Sequence, residues 1–273
     1  MTYKLAFLST AFLILCASCT KHANEPLSTS VRPLESSDSI ISPLSNPQNP
    51  YDSIGQVHNA VLADVMPNVF SGALAPSWTA EGNYGDSLLI NSFHFSSTFV
   101  GAFNTAFNTA YDSAISTYDF PTLVDSLENA GDLSLSMPTF LDSLYDYLTV
   151  AVADSFPTPS VYNTFANHVI ELEHKIKENL MIQQSDSVSV YACTSIARYS
   201  TAYWMNIENS GNPPGFLKKV IKVISADLNG ALGGAGTGAS IATQTHNKPV
   251  GAAIAGGIIG GVHASINSGG KKN

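Results

Sequence analysis

Charge is scarce in this 273-residue chain: 12% of residues are Asp, Glu, Lys or Arg, about half the share usual in globular proteins. Lys and Arg number 12 against 21 Asp and Glu, for a net charge of −9, and the basic clusters are limited to Lys218-Lys219 and Lys271-Lys272. A nucleic-acid partner needs a Lys/Arg footprint for the phosphates, so that class is excluded. Aromatic residues stop at Phe216. The sequence also lacks a glycine-flanked nucleophilic serine, a His-Glu-x-x-His run and a phosphate-binding loop. No catalytic residue, metal site or cofactor is assigned, and the chain is read as a non-enzyme. Serine, threonine and asparagine supply polarity instead, and the 44% apolar content suffices for one or two cores.

What is abundant is glycine near the C-terminus. Twelve of the 20 glycines lie between Ala226 and Asn273. Small residues recur every four positions: Ala226, Gly230, Gly234, Gly238 and Ala242, then Ala252, Gly256, Gly260 and Ala264. On a helix each set forms one stripe, and missing side chains let two backbones approach closely. Thr243 to Pro249 reads as a turn between them. The expectation is a glycine-faced helical hairpin over 216–268, followed by a polar tail over 269–273.

At the other end, Lys4 precedes an eleven-residue apolar run, Leu5 to Leu15, too short to span a bilayer and so read as an export signal. Cys16-Ala17-Ser18-Cys19 follows. Small residues before a cysteine resemble the lipobox of bacterial lipoproteins, with Cys16 standing where leucine is typical. The resemblance implies cleavage after residue 18, diacylation of Cys19 and attachment to the envelope membrane, at the outer membrane or cell surface. Cleavage as an ordinary secretory signal is the alternative. If Cys16 leaves with the signal and Cys19 carries lipid, Cys193 has no partner, and its apolar-periodic setting suits a buried thiol.

Residues 19–48 hold Pro26, Pro33, Pro43 and Pro47 among many serines and read as a disordered tether. The helical domain is expected over 49–208. Asn49 suits a helix cap, Pro50 the first helical position and Asp52 the first turn, with Ile54, His58, Val61, Leu62 and Val65 forming an apolar face that ends at Pro67. This run, Asn-Pro-x-Asp-x-x-Gly-x-x-His-Asn, resembles the opening of a family of exported bacterial proteins, some of which also end in a glycine-rich segment. The resemblance implies a helical fold and imports no activity. His58 is the one candidate ligand, although on an apolar stripe a buried, hydrogen-bonded role is expected. Gly55, one turn earlier, marks a close helix contact.

Gly72 to Gly85, with Trp78, reads as a loop. Helical periodicity then covers Phe93–Tyr118 through Phe99, Phe103 and Phe107, and continues over Phe120–Asn129, Pro138–Asp154, Ser160–Ile182 and Ser187–Ile207. His168, Glu171, His174 and Glu178 have metal-like spacing. However, no other helix offers a matching Glu-x-x-His, and Glu171, Glu173, Lys175, Lys177 and Glu178 read as a solvated face. Asn209 to Gly215 is the linker before the hairpin.

The fold class is therefore all-α: a helical bundle followed by a glycine-rich hairpin. The function expected is binding, scaffolding or structural, in a lipid-anchored envelope protein. The hairpin packs on itself, on the body, on a second copy or on an envelope partner. Alternatives are a membrane-inserting or bacteriocin-like hairpin, since Pro249 to Ile266 carries no formal charge, and an enzyme or ligand-binding protein using His58. Asp227 and Asn229 weigh against insertion, because both are costly in hydrocarbon.

Overall fold

A computed structural model describes residues 40–70, 94–110, 119–130, 133, 136–153, 158–178, 184–209, 217–245 and 249–269. Among them the secondary structure is helical throughout: α1 (Ser53–Phe70), α2 (Ser97–Ala110), α3 (Phe120–Ala130), α4 (Met137–Ala153), α5 (Pro159–Glu178), α6 (Gln184–Asn209), α7 (Leu217–Gln244) and α8 (Pro249–Gly269). The all-α reading holds.

Local chemistry sets several helix starts. Ser96 Oγ accepts from Phe99 N at 3.2 Å before α2, Asp119 Oδ1 from Thr122 N at 3.0 Å before α3, and Thr158 Oγ1 from Val161 N at 3.2 Å before α5. Pro121 and Pro159 occupy first turns, where the missing N–H goes unused. Pro67, expected to end α1, instead lies inside it. Ala63, whose carbonyl loses its partner to Pro67, is exposed, so water can replace the lost bond.

The hairpin forms the centre. Every residue of α8 from Gly251 to Ile266 is buried, with α7, α6 and α1 packed around it. The span Pro249–Ser268, with mean hydropathy 1.4, is long and apolar enough to cross a membrane, yet 89% of it is buried inside the protein. Across the antiparallel pair, Gly230 faces Gly260, Gly234 faces Gly256 and Gly238 faces Ala252. A Cβ on these three glycines would stand 2.0, 2.1 and 2.1 Å from the facing carbonyl oxygens. Such separations admit only hydrogen, so the four-residue stripe is a backbone-to-backbone seam. Of its remaining members, Ala242 and Ala264 are buried and Ala226 is half-buried.

The aromatic-free hairpin takes its bulk from α2. Phe95, Phe99, Phe103 and Phe107 stack in succession, with ring centroids 4.3, 6.3 and 5.5 Å apart. The last three of these join Ala242, Ala252, Ala255 and Ile259 in one buried cluster. Large rings against small residues give the interdigitation a dense core requires. Two further glycines of α8 flank the seam: a Cβ on Gly257 would lie 3.4 Å from the Ala231 carbonyl oxygen of α7 and 3.7 Å from Ala192 of α6, and Gly261 meets His58 and Ile196.

The tether expected over 19–48 does not extend to Gln48. Ile41 is buried and exchanges hydrogen bonds with the Asn206 side chain at 2.8 Å in both directions, while Leu44 N donates to Tyr162 Oη at 2.8 Å. Proline and serine content concealed these anchors, since Ile41 and Leu44 have no periodic apolar neighbours. The signal, Cys19 and the Trp78 loop lie outside the described residues, as does the linker except for Asn209, which closes α6.

Candidate functional site

Asn49, Asp52 and His58 of the Asn49–Asn59 run enter two buried clusters. Asn49 does not cap α1, which starts four residues later. Its Oδ1 accepts from Tyr51 N at 2.8 Å, closing a turn, and its Nδ2 donates to Glu173 Oε1 at 2.6 Å and to the Tyr191 carbonyl at 3.2 Å. Gly55 N donates to Ser195 Oγ at 2.9 Å, and a Cβ there would lie 2.7 Å from the Ser195 carbonyl oxygen. The glycine therefore marks the close contact expected of it, between α1 and α6.

The first cluster centres on Arg198, whose side chain is fully buried. Its Nη2 donates to Asp52 Oδ1 and, at 3.0 Å, to Glu173 Oε1, while Nη1 donates to the Leu44 carbonyl. Glu173 also accepts from Asn46 Nδ2 at 2.7 Å and Thr194 Oγ1 at 2.7 Å. Asp52 Oδ2 accepts from the Tyr199 hydroxyl at 3.1 Å. Burial opposes the charge on Arg198, but Glu173 and Asp52 outweigh it and hold the guanidinium above its ordinary pKa. Two buried carboxylates against one cation leave an excess negative charge, which the amide and hydroxyl donors share.

The second cluster centres on Asp227 of α7, also fully buried. Ser200 Oγ and, at 3.3 Å, Trp204 Nε1 donate to its Oδ2 from α6, and Ser265 Oγ donates to its Oδ1 from α8. His58 Nε2 on α1 stands 3.9 Å from Oδ2 without a hydrogen-bond partner. Four helices thus meet at one carboxylate. Burial raises the Asp227 pKa to about 7 against the three donors, and burial lowers that of His58 to about 4 against its bond with Asn59 and the nearby Gly261 backbone.

No family model, curated protein or solved structure matches the chain. The site is therefore read from its own geometry. Serine, histidine and aspartate come together here, but both hydroxyls donate to the carboxylate and neither bonds to the imidazole. A nucleophile needs its base within hydrogen-bond reach. The His58 side chain has no exposed surface, so a ligand could reach it only if α1, α6 or α8 moved. Cys193 is buried, its Sγ 3.9 Å from the Leu228 carbonyl oxygen, and burial pushes its pKa up. An apolar setting of that kind keeps a thiol protonated and unreactive.

Sequence reasoning expected a buried His58 and, separately, a close-packed glycine stripe, but did not relate the two and missed the charges around them. Glu173, read as part of a solvated face, is buried, while Glu171, Lys175, Lys177 and Glu178 beside it are exposed. Asp52 lies directly before α1, not in its first turn, and is an ion-pair member. Of the metal-like set, His168, Glu171 and Glu178 are exposed, with His168 against the Tyr147 ring at 4.7 Å. One signal was available for Arg198, an arginine directly after Ile196 and Ala197 in an apolar-periodic helix. Asp227, between Ile224 and Leu228, carried the same signal.

Proposed function

We propose that this is a lipid-anchored protein of the cell envelope whose helical body serves a scaffolding or binding role. The observation that carries the reading is the Ala17-Ser18-Cys19 sequence after the short apolar run. Two acyl chains give stable membrane attachment where one is marginal. The folded body supports a non-catalytic role, since its buried polar groups join helices to one another. Every polar member of the Asn49–Asn59 run cited above does so. The glycine seam is occupied within the chain, so a second copy or an envelope partner gains nothing from it unless the hairpin opens.

The test is metabolic labelling. Labelled palmitate enters the wild-type protein and follows it to the membrane fraction, and Cys19→Ala abolishes both. Equal labelling of the two proteins, or of neither, removes the anchor. The hydropathy of Pro249–Ser268 favours a second reading, in which the hairpin inserts into a membrane. Liposome binding by a soluble Cys19→Ala protein, with loss of α2 contacts to the hairpin, would establish it.

A further inference from the structure

We propose that His58 and Asp227 share one proton in the folded core, and that this proton latches α1 to the α7–α8 hairpin. The argument begins with the tautomer. Asn59 Nδ2 donates to the Tyr199 carbonyl at 2.7 Å, which turns Asn59 Oδ1 toward His58 Nδ1 at 3.2 Å. An oxygen acceptor at that position requires Nδ1 to carry the hydrogen. A neutral ring then presents a bare lone pair at Nε2, the atom 3.9 Å from Asp227 Oδ2. An ionised carboxylate would face that lone pair with both groups cut off from water. Two acceptors confronted in a dry core repel, and a low dielectric magnifies the repulsion. One proton, on either atom, turns the confrontation into attraction.

The other groups around Asp227 fit this assignment. Ser200 and Ser265 can donate to a carboxylate or rotate to accept from a carboxylic acid. On α6, Tyr203 is held protonated, by burial first and Asp227 second, and the Cys193 thiol is directed at Leu228. On α8, His263 bonds to Asn267 at 2.9 Å and packs against the edge of Phe107, and on α7 Lys222 is exposed. None supplies a counter-charge. Gly261 lets α8 close on the imidazole, since a Cβ there would lie 3.0 Å from Cδ2 and 3.2 Å from Nε2. The directions of the two pKa shifts agree, leaving the pair with one proton between about pH 4 and about 7. Above that window the proton leaves, a bare carboxylate faces the lone pair, and the joint between α1 and the hairpin weakens.

Side-chain NMR of the full chain, reading the His58 ring nitrogens and the Asp227 carboxyl carbon, tests the proposal. Both signals should stay nearly level from about pH 5 to about 6, and the carboxyl should then shift as pH rises through about 7. Hydrogen exchange of α1 amides, corrected for the intrinsic rate, should accelerate by about threefold in all as pH rises through about 7 and then level off, because opening releases a proton only where folded Asp227 still holds it and opened His58 no longer does. Asp227→Asn, whose amide can donate to Nε2 without a proton to lose, should abolish the acceleration. An ordinary His58 transition near about pH 6.5, or an ionised Asp227 beside a neutral His58 at pH 5.5, overturns the proposal. The wild-type titration decides between these outcomes even where the variant does not fold.

Discussion

Glu173 accepts a hydrogen bond from Arg198 at 3.0 Å, and neither side chain has appreciable contact with water. The two lie 25 residues apart, on different helices, and Asp52 joins them from 146 residues away. A buried ion pair is weak evidence of net stabilisation, but removal of one partner strands the other's charge. Arg198→Met should therefore cost about 3–5 kcal/mol in chemical denaturation, because it leaves two carboxylates without a cation. A loss under 1 kcal/mol would mean that the asparagine, threonine and tyrosine donors suffice alone.

The segment before α1 gives a milder prediction. Tyr162→Phe keeps the ring buried and removes the hydroxyl that Leu44 N donates to. An unsatisfied amide costs about 1–3 kcal/mol, and here the loss should be local. Limited proteolysis should cut within 41–48 faster in the variant, with little change in the global unfolding midpoint. Unchanged cleavage would show that Ile41 and Arg198 hold the segment without Tyr162.

Much of this arrangement was legible beforehand, and the boundary of legibility has a physical cause. Helices with strong apolar spacing, such as Phe99, Phe103 and Phe107, declare themselves because burial of one face is a local property. The seam was legible for a related reason: only missing side chains at a four-residue period allow backbone contact. Ion-pair partners are different. Nothing in a sequence relates Asp52 to Arg198 until the helices dock, and Glu173 resembled its solvated neighbours because charge repeats without regard to face. Residues 41–48 were missed because single anchors, Ile41 and Leu44, show no period.

The pH dependence follows from opposed shifts. Asp227 has its folded pKa raised from 3.8 to about 7, so its contribution is full at acid pH and lost as pH rises through about 7. His58 has its folded pKa lowered from 6.5 to about 4, so its contribution is present above 6.5 and lost as pH falls toward about 4. Between those limits the folded chain holds one proton on Asp227 and the unfolded chain one on His58, so the two slopes cancel. His58→Gln removes one side of the balance. Relative to wild type, its stability should rise as pH falls from 7 to 4.5, by an amount on the order of 3 kcal/mol. A pH profile parallel to that of wild type would show that the two groups are not opposed.

The central claim is that the glycine hairpin is the packed core of the body. Alanine at a helical glycine normally stabilises by about 1 kcal/mol. Gly236 has nothing within 4 Å of an added Cβ, whereas at Gly260 that Cβ would sit 1.9 Å from the Gly230 carbonyl oxygen. The deciding measurement is the unfolding free energy of Gly236→Ala and Gly260→Ala in detergent-free solution. The account requires Gly236→Ala to gain about 1 kcal/mol and Gly260→Ala to lose about 1–3 kcal/mol by overpacking. Equal gains at both positions would mean that the two helices do not meet at Gly230 and Gly260, contradicting the account.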